Sequence, residues 1–133
     1  MTEFATQKTF TPALCRQILS YGIKKQDFSF VIHNIARIPE KEFAKIAGTS
    51  SRTISRLKND QLIPEHAAEV TLSVVRAFRK AEEIFGSEEK AALWLKRSNA
   101  ALEGNTPLFL LNTRFGSEEV MDVLTRIEHG VYS

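Results

Sequence analysis

Apolar positions recur at helical spacing along this chain, and no segment alternates with period two for long enough to argue a strand, so the pattern predicts an all-α protein. The first ten residues are polar and Thr-rich without a clear period, which reads as a flexible arm over residues 1–10. Thr11-Pro12 then supplies an N-cap and a proline at the first helical position, opening a helix that ends near Tyr21-Gly22. Phe28, Val31, Ile32 and Ile35 mark a second helix from near Gln26. Pro39 breaks it and starts a third, which stops at Gly48, and a short fourth helix follows Ser50. Beyond the link Leu62-Ile63-Pro64, a long helix from Glu65 carries the seam Val70, Val74, Phe78, Ala81 and Phe85, with Gly86 as its stop. Ser87-Glu88-Glu89 opens the next helix, which holds Ala91, Trp94 and Leu95. Residues 99–107 are rich in turn formers, and Leu108 to Leu111 makes one helical turn. The last helix is expected from Ser117-Glu118-Glu119, with Val120, Leu124, Ile127 and Val131 along one side.

Residues 40–59 have the spacing of two short helices joined by a tight turn, the usual way to carry a helix into the DNA major groove. Ala44 is small where the helices would cross, and Gly48 can take the positive φ needed to leave the first of them. On the second, Ile54 and Leu57 face inward while Ser51, Arg52, Ser55 and Arg56 share an outer side rich in donors and free of acid. DNA contacts are assigned accordingly: Ser50 and Ser51 to backbone phosphates, Arg52 and Arg56 to base edges or phosphates, and Lys58 to phosphate. Ser55 lies on the same side, and for Thr53 packing or capping is the stronger reading. The plain alternative is a helical pair with a solvated basic face, so context must support the motif.

The chain is long enough for one domain, or two small units sharing a core, and its 43% hydrophobic and 26% charged residues argue against disorder. No apolar run approaches the ~20 residues that span a bilayer. Met1-Thr2-Glu3-Phe4 lacks the layout of a signal peptide, so a cytoplasmic protein without membrane contact is expected. The single cysteine, Cys15, reads as a small apolar packing residue. His33, His66 and His129 lie far apart, so no metal is expected. Without a Gly-rich phosphate loop or a nucleophile beside a base, no enzyme, cofactor or small-molecule substrate is indicated either. Charge divides the chain: residues 1–64 hold 10 Lys/Arg against 5 Asp/Glu, whereas residues 65–133 hold 8 against 11. That asymmetry suggests that a unit at 11–64 meets phosphates and a unit at 65–133 meets another partner.

The second unit carries a more specific signal. The strings Ala91-Ala92-Leu93-Trp94-Leu95, then residues 99–108, then Leu111-Asn112-Thr113, Gly116, Val120, Leu124 and Arg126-Ile127-Glu128-His129-Gly130-Val131-Tyr132 resemble the C-terminal domain of the Xre/ParS antitoxins. Arg52-Thr53-Ile54-Ser55-Arg56 also resembles that family's helix-turn-helix. The resemblance implies an Xre-like helix-turn-helix bundle followed by a helical toxin-binding domain. It further implies a type II toxin–antitoxin pair in which the C-terminal domain covers the active site of a RES-domain toxin that degrades or modifies NAD. Repression of its own operon through operator DNA, as a homodimer, is implied too. Two departures bear on DNA reading: many such readers carry Gln where this chain has Glu40 and Ser51. Glu103 stands where the family often has Gly.

On the toxin side, Trp94, Leu102, Pro107 and the last helix are candidates for a contact surface, although a Trp at helical spacing is more often core. The resemblance adds Asn105, Thr106 and Arg126. The chain end Gly130-Val131-Tyr132-Ser133 offers an apolar-aromatic pair after a glycine, which the family reading places at the toxin's active site. Two other functions fit the same residues: a solitary helix-turn-helix repressor with a C-terminal dimerisation domain, and an interaction module that has lost DNA binding.

Overall fold

The computed structural model describes residues 3–130, and every regular element within them is helical. In chain order the α-helices are α1 (Glu3–Thr6), α2 (Pro12–Tyr21), α3 (Lys25–Phe30), α4 (Glu40–Ile46), α5 (Ser51–Ser55), α6 (Glu65–Phe85), α7 (Glu88–Lys96), α8 (Pro107–Leu110) and α9 (Arg114–Glu128). A π-helical stretch, Val31–Ala36, continues α3, and a 3-10 turn, Ala100–Leu102, separates α7 from α8. Polar caps read from the sequence do what their chemistry predicts. Thr11 Oγ1 accepts from the Leu14 amide at 3.1 Å, and Ser87 Oγ from the Lys90 amide at 3.1 Å. Each satisfies an amide that has no partner in the first helical turn.

The long helix α6 is the organising element. Val74, Ala77, Phe78 and Ala81 on it are fully buried. α7 and α9 pack on α6 most extensively, and α2 and the π stretch also lie against it. Ala81 on α6 and Ala91 and Ala92 on α7 keep that contact free of bulk, so the two helices can approach closely. In the first half Phe28 and Phe43 meet edge to face, with ring centroids 5.4 Å apart. Each such buried ring contributes about 1.5–3 kcal/mol of burial free energy. A single apolar cluster runs from Phe4 through Phe43 and Phe78 to Leu124, so the expected division near residue 65 does not interrupt the core.

Three expectations need correction. The flexible arm is, over Glu3–Thr6, a helical turn whose Phe4 and Ala5 join the core. Arg79 holds it there by donating from Nη2 to the Ala5 carbonyl at 2.8 Å. The second helix is not α-helical throughout: the Arg37 amide donates to the Ile32 carbonyl at 2.8 Å, closing a wider turn, and Arg37 leaves it at φ 55°. The last helix begins at Arg114 rather than Ser117, because Thr113 Oγ1 takes the cap by accepting from the Gly116 amide at 3.0 Å. No helix among the described residues is long and apolar enough to cross a membrane.

Candidate functional site

The first candidate site is built on α4 and α5. Ala44 is buried, and its carbonyl accepts from the Thr49 amide at 2.9 Å, which closes the turn after α4. Gly48 sits at φ 73°, and a side chain there would also strike His66 of α6, whose Cδ2 lies 2.8 Å from the position a Cβ would take. Ser50 then caps α5, its Oγ accepting from the Thr53 amide at 3.1 Å and lying 2.9 Å from Thr53 Oγ1. Ile54 is fully buried and Leu57 is half-buried against the core, so α5 is anchored by its inner side. Lys25 Nζ caps the far end through the Leu57 carbonyl at 2.8 Å. Backbone hydrogen bonds between residues 23–26 and 59–63 brace the loop that follows.

Arg52, Thr53, Ser55, Arg56 and Lys58 are exposed on or just after α5. Among the described residues none of Arg52, Arg56 or Lys58 forms an ion pair. The outer side is therefore an unneutralised basic surface. Two details differ from the expectation. Ser51 is only half-exposed, and its Oγ is enclosed without a protein partner, so it does not share the outer side with the arginines. The helix itself ends at Ser55, with Arg56 as its cap, and residues 56–59 turn away toward the brace. Ser55 Oγ donates to the Arg52 carbonyl at 3.0 Å, leaving its lone pairs outward. Glu40 lies in the first turn of α4, where its charge suits the helix N-terminus.

The second candidate site spans α7 to α9. Asn99 and Asn105 close the turn between α7 and α8: Asn99 Oδ1 accepts from the Ala101 amide at 2.9 Å, and Asn105 Nδ2 donates to the Leu102 carbonyl at 3.0 Å. Glu103 at φ 58° and Gly104 at φ 84° complete the reversal. Glu103 thus occupies the left-handed region in which a Gly is less strained. Thr106 Oγ1 caps α8 through the Phe109 amide at 3.2 Å. Leu102 and Pro107 are buried, so in this conformation they shape the corner and present no contact surface, contrary to the expectation. Trp94 is half-buried, its ring 5.9 Å from that of Phe85. Arg126 and Gly130 are exposed, while Val131, Tyr132 and Ser133 lie outside the described residues.

Pattern reading passed over the most exposed apolar side chains of this half, Leu93, Phe109 and Phe115. Phe115 is 76% exposed although it sits one residue from buried Gly116. A helical wheel drawn from Thr113 would have placed it opposite Val120 and Leu124. Phe109 borders a cleft of about 810 Å³ that α8 shares with Ile38, Lys45 and Ile46 around α4. This cleft joins α4, the first helix of the pair, to the α7–α8 corner, and no residue of α5 lines it. Around α6 two carboxyls are held below the ordinary range. At Glu82 partial burial acts to raise the value and is outweighed by hydrogen bonds and attraction from Arg79 and Lys8. At Glu128 the hydrogen bond from Lys80 Nζ, at 2.7 Å, is the main cause.

Among the described residues no cluster of His, Cys, Asp and Glu is placed to hold a metal ion. An anchored short helix with a free basic side, and an apolar-edged corner that shares a cleft with the preceding helix α4, define an all-helical protein with two candidate binding surfaces. Residues 80–130 match the family model described as the antitoxin Xre/MbcA/ParS C-terminal toxin-binding domain. Similar over more of the chain is an antitoxin Xre of Yersinia enterocolitica, 33% identical over 105 residues that span 77% of this chain and 70% of the relative. An antitoxin Xre of Photorhabdus laumondii is 32% identical over 104 residues, with the same shares, and one of Pseudomonas putida is 29% identical over 76 residues, 57% of this chain and 48% of the relative. The chain belongs to the Xre antitoxin family. The matched toxin-binding segment starts inside α6, so that helix serves both halves.

Proposed function

We propose that this chain neutralises a RES-domain toxin that degrades NAD, covering its active site with the α7–α9 half, and represses its own operon through α5 as a homodimer in the cytoplasm. It acts by binding rather than by catalysis. The observation that supports the first activity is the coincidence of the matched segment, residues 80–130, with the exposed apolar side chains Leu93, Phe109 and Phe115. A large exposed apolar side chain in a partner-binding segment is a natural anchor, since its burial on association removes water from it. Residues 130–133, which the family resemblance places at the toxin's active site, are assigned to the toxin cleft.

Support for the second activity comes from Arg52 on α5 and Arg56 at its cap, both exposed and, among the described residues, without an ion pair. Arg52 and Arg56 release counterions on meeting phosphate and can reach base edges, whereas Ser51, with its hydroxyl enclosed, contributes no base reading. Specificity is then modest in each half-site and depends on two copies binding together. Co-expression with an adjacent RES-domain reading frame tests the reading directly. Cellular NAD and growth are expected to be preserved only when the chain is present; NAD loss in its presence refutes the neutralising role. A gel shift on the upstream DNA, run over a range of salt, tests repression. An unshifted operator at low salt refutes it and leaves an antitoxin that does not act on DNA.

A further inference from the structure

The helix α2 is unusual in this fold. It runs ten residues, and its apolar side is only partly covered: Cys15 and Ile18 pack against the core, Leu14 is half-buried, Leu19 is exposed, and no side chain of the helix is fully buried. In a finished globular surface such a helix would have its apolar stripe covered. Beside its C-terminus Tyr21 is 73% exposed and Leu62, from the loop after α5, is 52% exposed. These two and Leu19 form one patch: a Cβ placed on Gly22 would lie 2.9 Å from Leu62 Cδ1, and all three side chains line a cleft of about 450 Å³. Neither the basic side of α5 nor the matched toxin-binding segment includes them.

The charges around the patch indicate its occupant. Arg16, Glu65 and Glu69 border the same cleft, and Arg76, Arg114 and Glu118 border the next one along α2 and α6. All six are exposed, and among the described residues none forms an ion pair. Three bases and three acids around an apolar centre carry no net charge. DNA would call for a basic surface, and a strongly charged protein partner for a surface of the opposite sign. An isologous contact requires the surface to complement itself, with the bases of one copy facing the acids of the other around a shared apolar centre. We infer that the face made by α2, Leu62 and the first half of α6 is where a second copy of this chain docks. Leu62 lies in the loop after α5, which backbone hydrogen bonds brace, so a two-fold contact here also sets how the two α5 helices are spaced on an operator.

This inference rests on the dimeric reading proposed above, and sedimentation equilibrium or light scattering of the full chain separates the two. Tyr21→Glu is the first variant, because Tyr21 is exposed and its replacement leaves the fold intact; Leu62→Glu is the second, and Leu93→Glu on the opposite half is the control. The wild type is expected to dimerise. Tyr21→Glu and Leu62→Glu should each raise the dimer dissociation constant roughly tenfold or more, since a two-fold contact is altered twice. Their helical circular dichroism and Leu93→Glu dimerisation should be unchanged. A wild type that is monomeric at every concentration overturns the dimeric reading and this inference together. A dimer that withstands both substitutions overturns the assignment of the face alone. A Tyr21→Glu protein that still dimerises but no longer captures the toxin gives the face to the toxin instead.

Discussion

Replacing Gly116 by alanine sets two physical effects of opposite sign against each other. Gly116 lies in the first turn of α9, where by intrinsic preference an alanine would be better than glycine by about 0.8–1.0 kcal/mol. Here, however, a Cβ would overlap the Leu110 carbonyl oxygen and come within 2.9 Å of its carbon and 3.1 Å of Thr113 Oγ1. The obstacle is backbone, which cannot rotate aside, so the α8–α9 corner has to open. Overpacking of this kind costs about 1–3 kcal/mol, and the upper end applies when the clash is with a carbonyl. Opening also pulls Thr113 from its cap on the Gly116 amide, worth about 1 kcal/mol. The net is a loss of about 2–3 kcal/mol, which for a domain of this size lowers the melting temperature by roughly 10 °C. Urea unfolding followed by helical circular dichroism measures the difference. Because α8 and α9 both lie in the matched segment, toxin capture should weaken as well. A Gly116→Ala protein more stable than the parent by about 1 kcal/mol would show that propensity governs this position and that the close approach has been misread.

Arg52→Ala and Arg56→Ala should each cost about 1–3 kcal/mol of operator affinity where the guanidinium reads a base, with no change in stability; unchanged binding of both at fixed salt removes α5 as the reading helix. Phe115→Glu, and separately removal of residues 130–133, should weaken toxin neutralisation while leaving operator binding intact, and full protection of cells by both proteins would count against the assigned surface. Stability should also fall in acid through Glu82, which Arg79 and Lys8 hold below the ordinary carboxylate range. A depressed folded value means that the contribution is complete above the unfolded pKa, about 4.3, and is lost as pH falls through the folded one. A Glu82→Gln protein should therefore lose less stability than the parent between neutral pH and pH 3, and equal losses would show that the cluster of Lys8, Arg79, Glu82 and Glu88 does not contribute.

Much of the helical layout was legible because its signals are local. Thr11, Ser50 and Ser87 cap the helices they precede by bonding their own third residues, and no distant atom takes part. The same local rule misplaced the start of α9. Ser117-Glu118-Glu119 is as good a helix opening as Ser87-Glu88-Glu89, and Thr113 wins only because Gly116 lets the backbone pass against Leu110. Phe4, with only Ala5 beside it, sets up no period, so its burial could not be read before Arg79 and the core were in place. Leu102 and Pro107 looked like contact residues and are core, whereas Phe109 and Phe115, to which the pattern gives no role, are exposed. Hydrophobic type says that a side chain favours burial. It does not say against what.

The amino-acid order alone therefore determined the helical class, most of the caps, the short helix after Ser50 with its basic outer side, and the family pattern from Ala91 onward, since each depends on neighbours a few residues away. Tertiary structure decided which apolar side chains stay in water, that Ser51 turns inward, and that α6 joins both halves in one core. Those outcomes depend on which surfaces the packed helices leave uncovered. Contacts between residues as distant as Ala5 and Arg79, or Gly22 and Leu62, set that, and no local spacing encodes them.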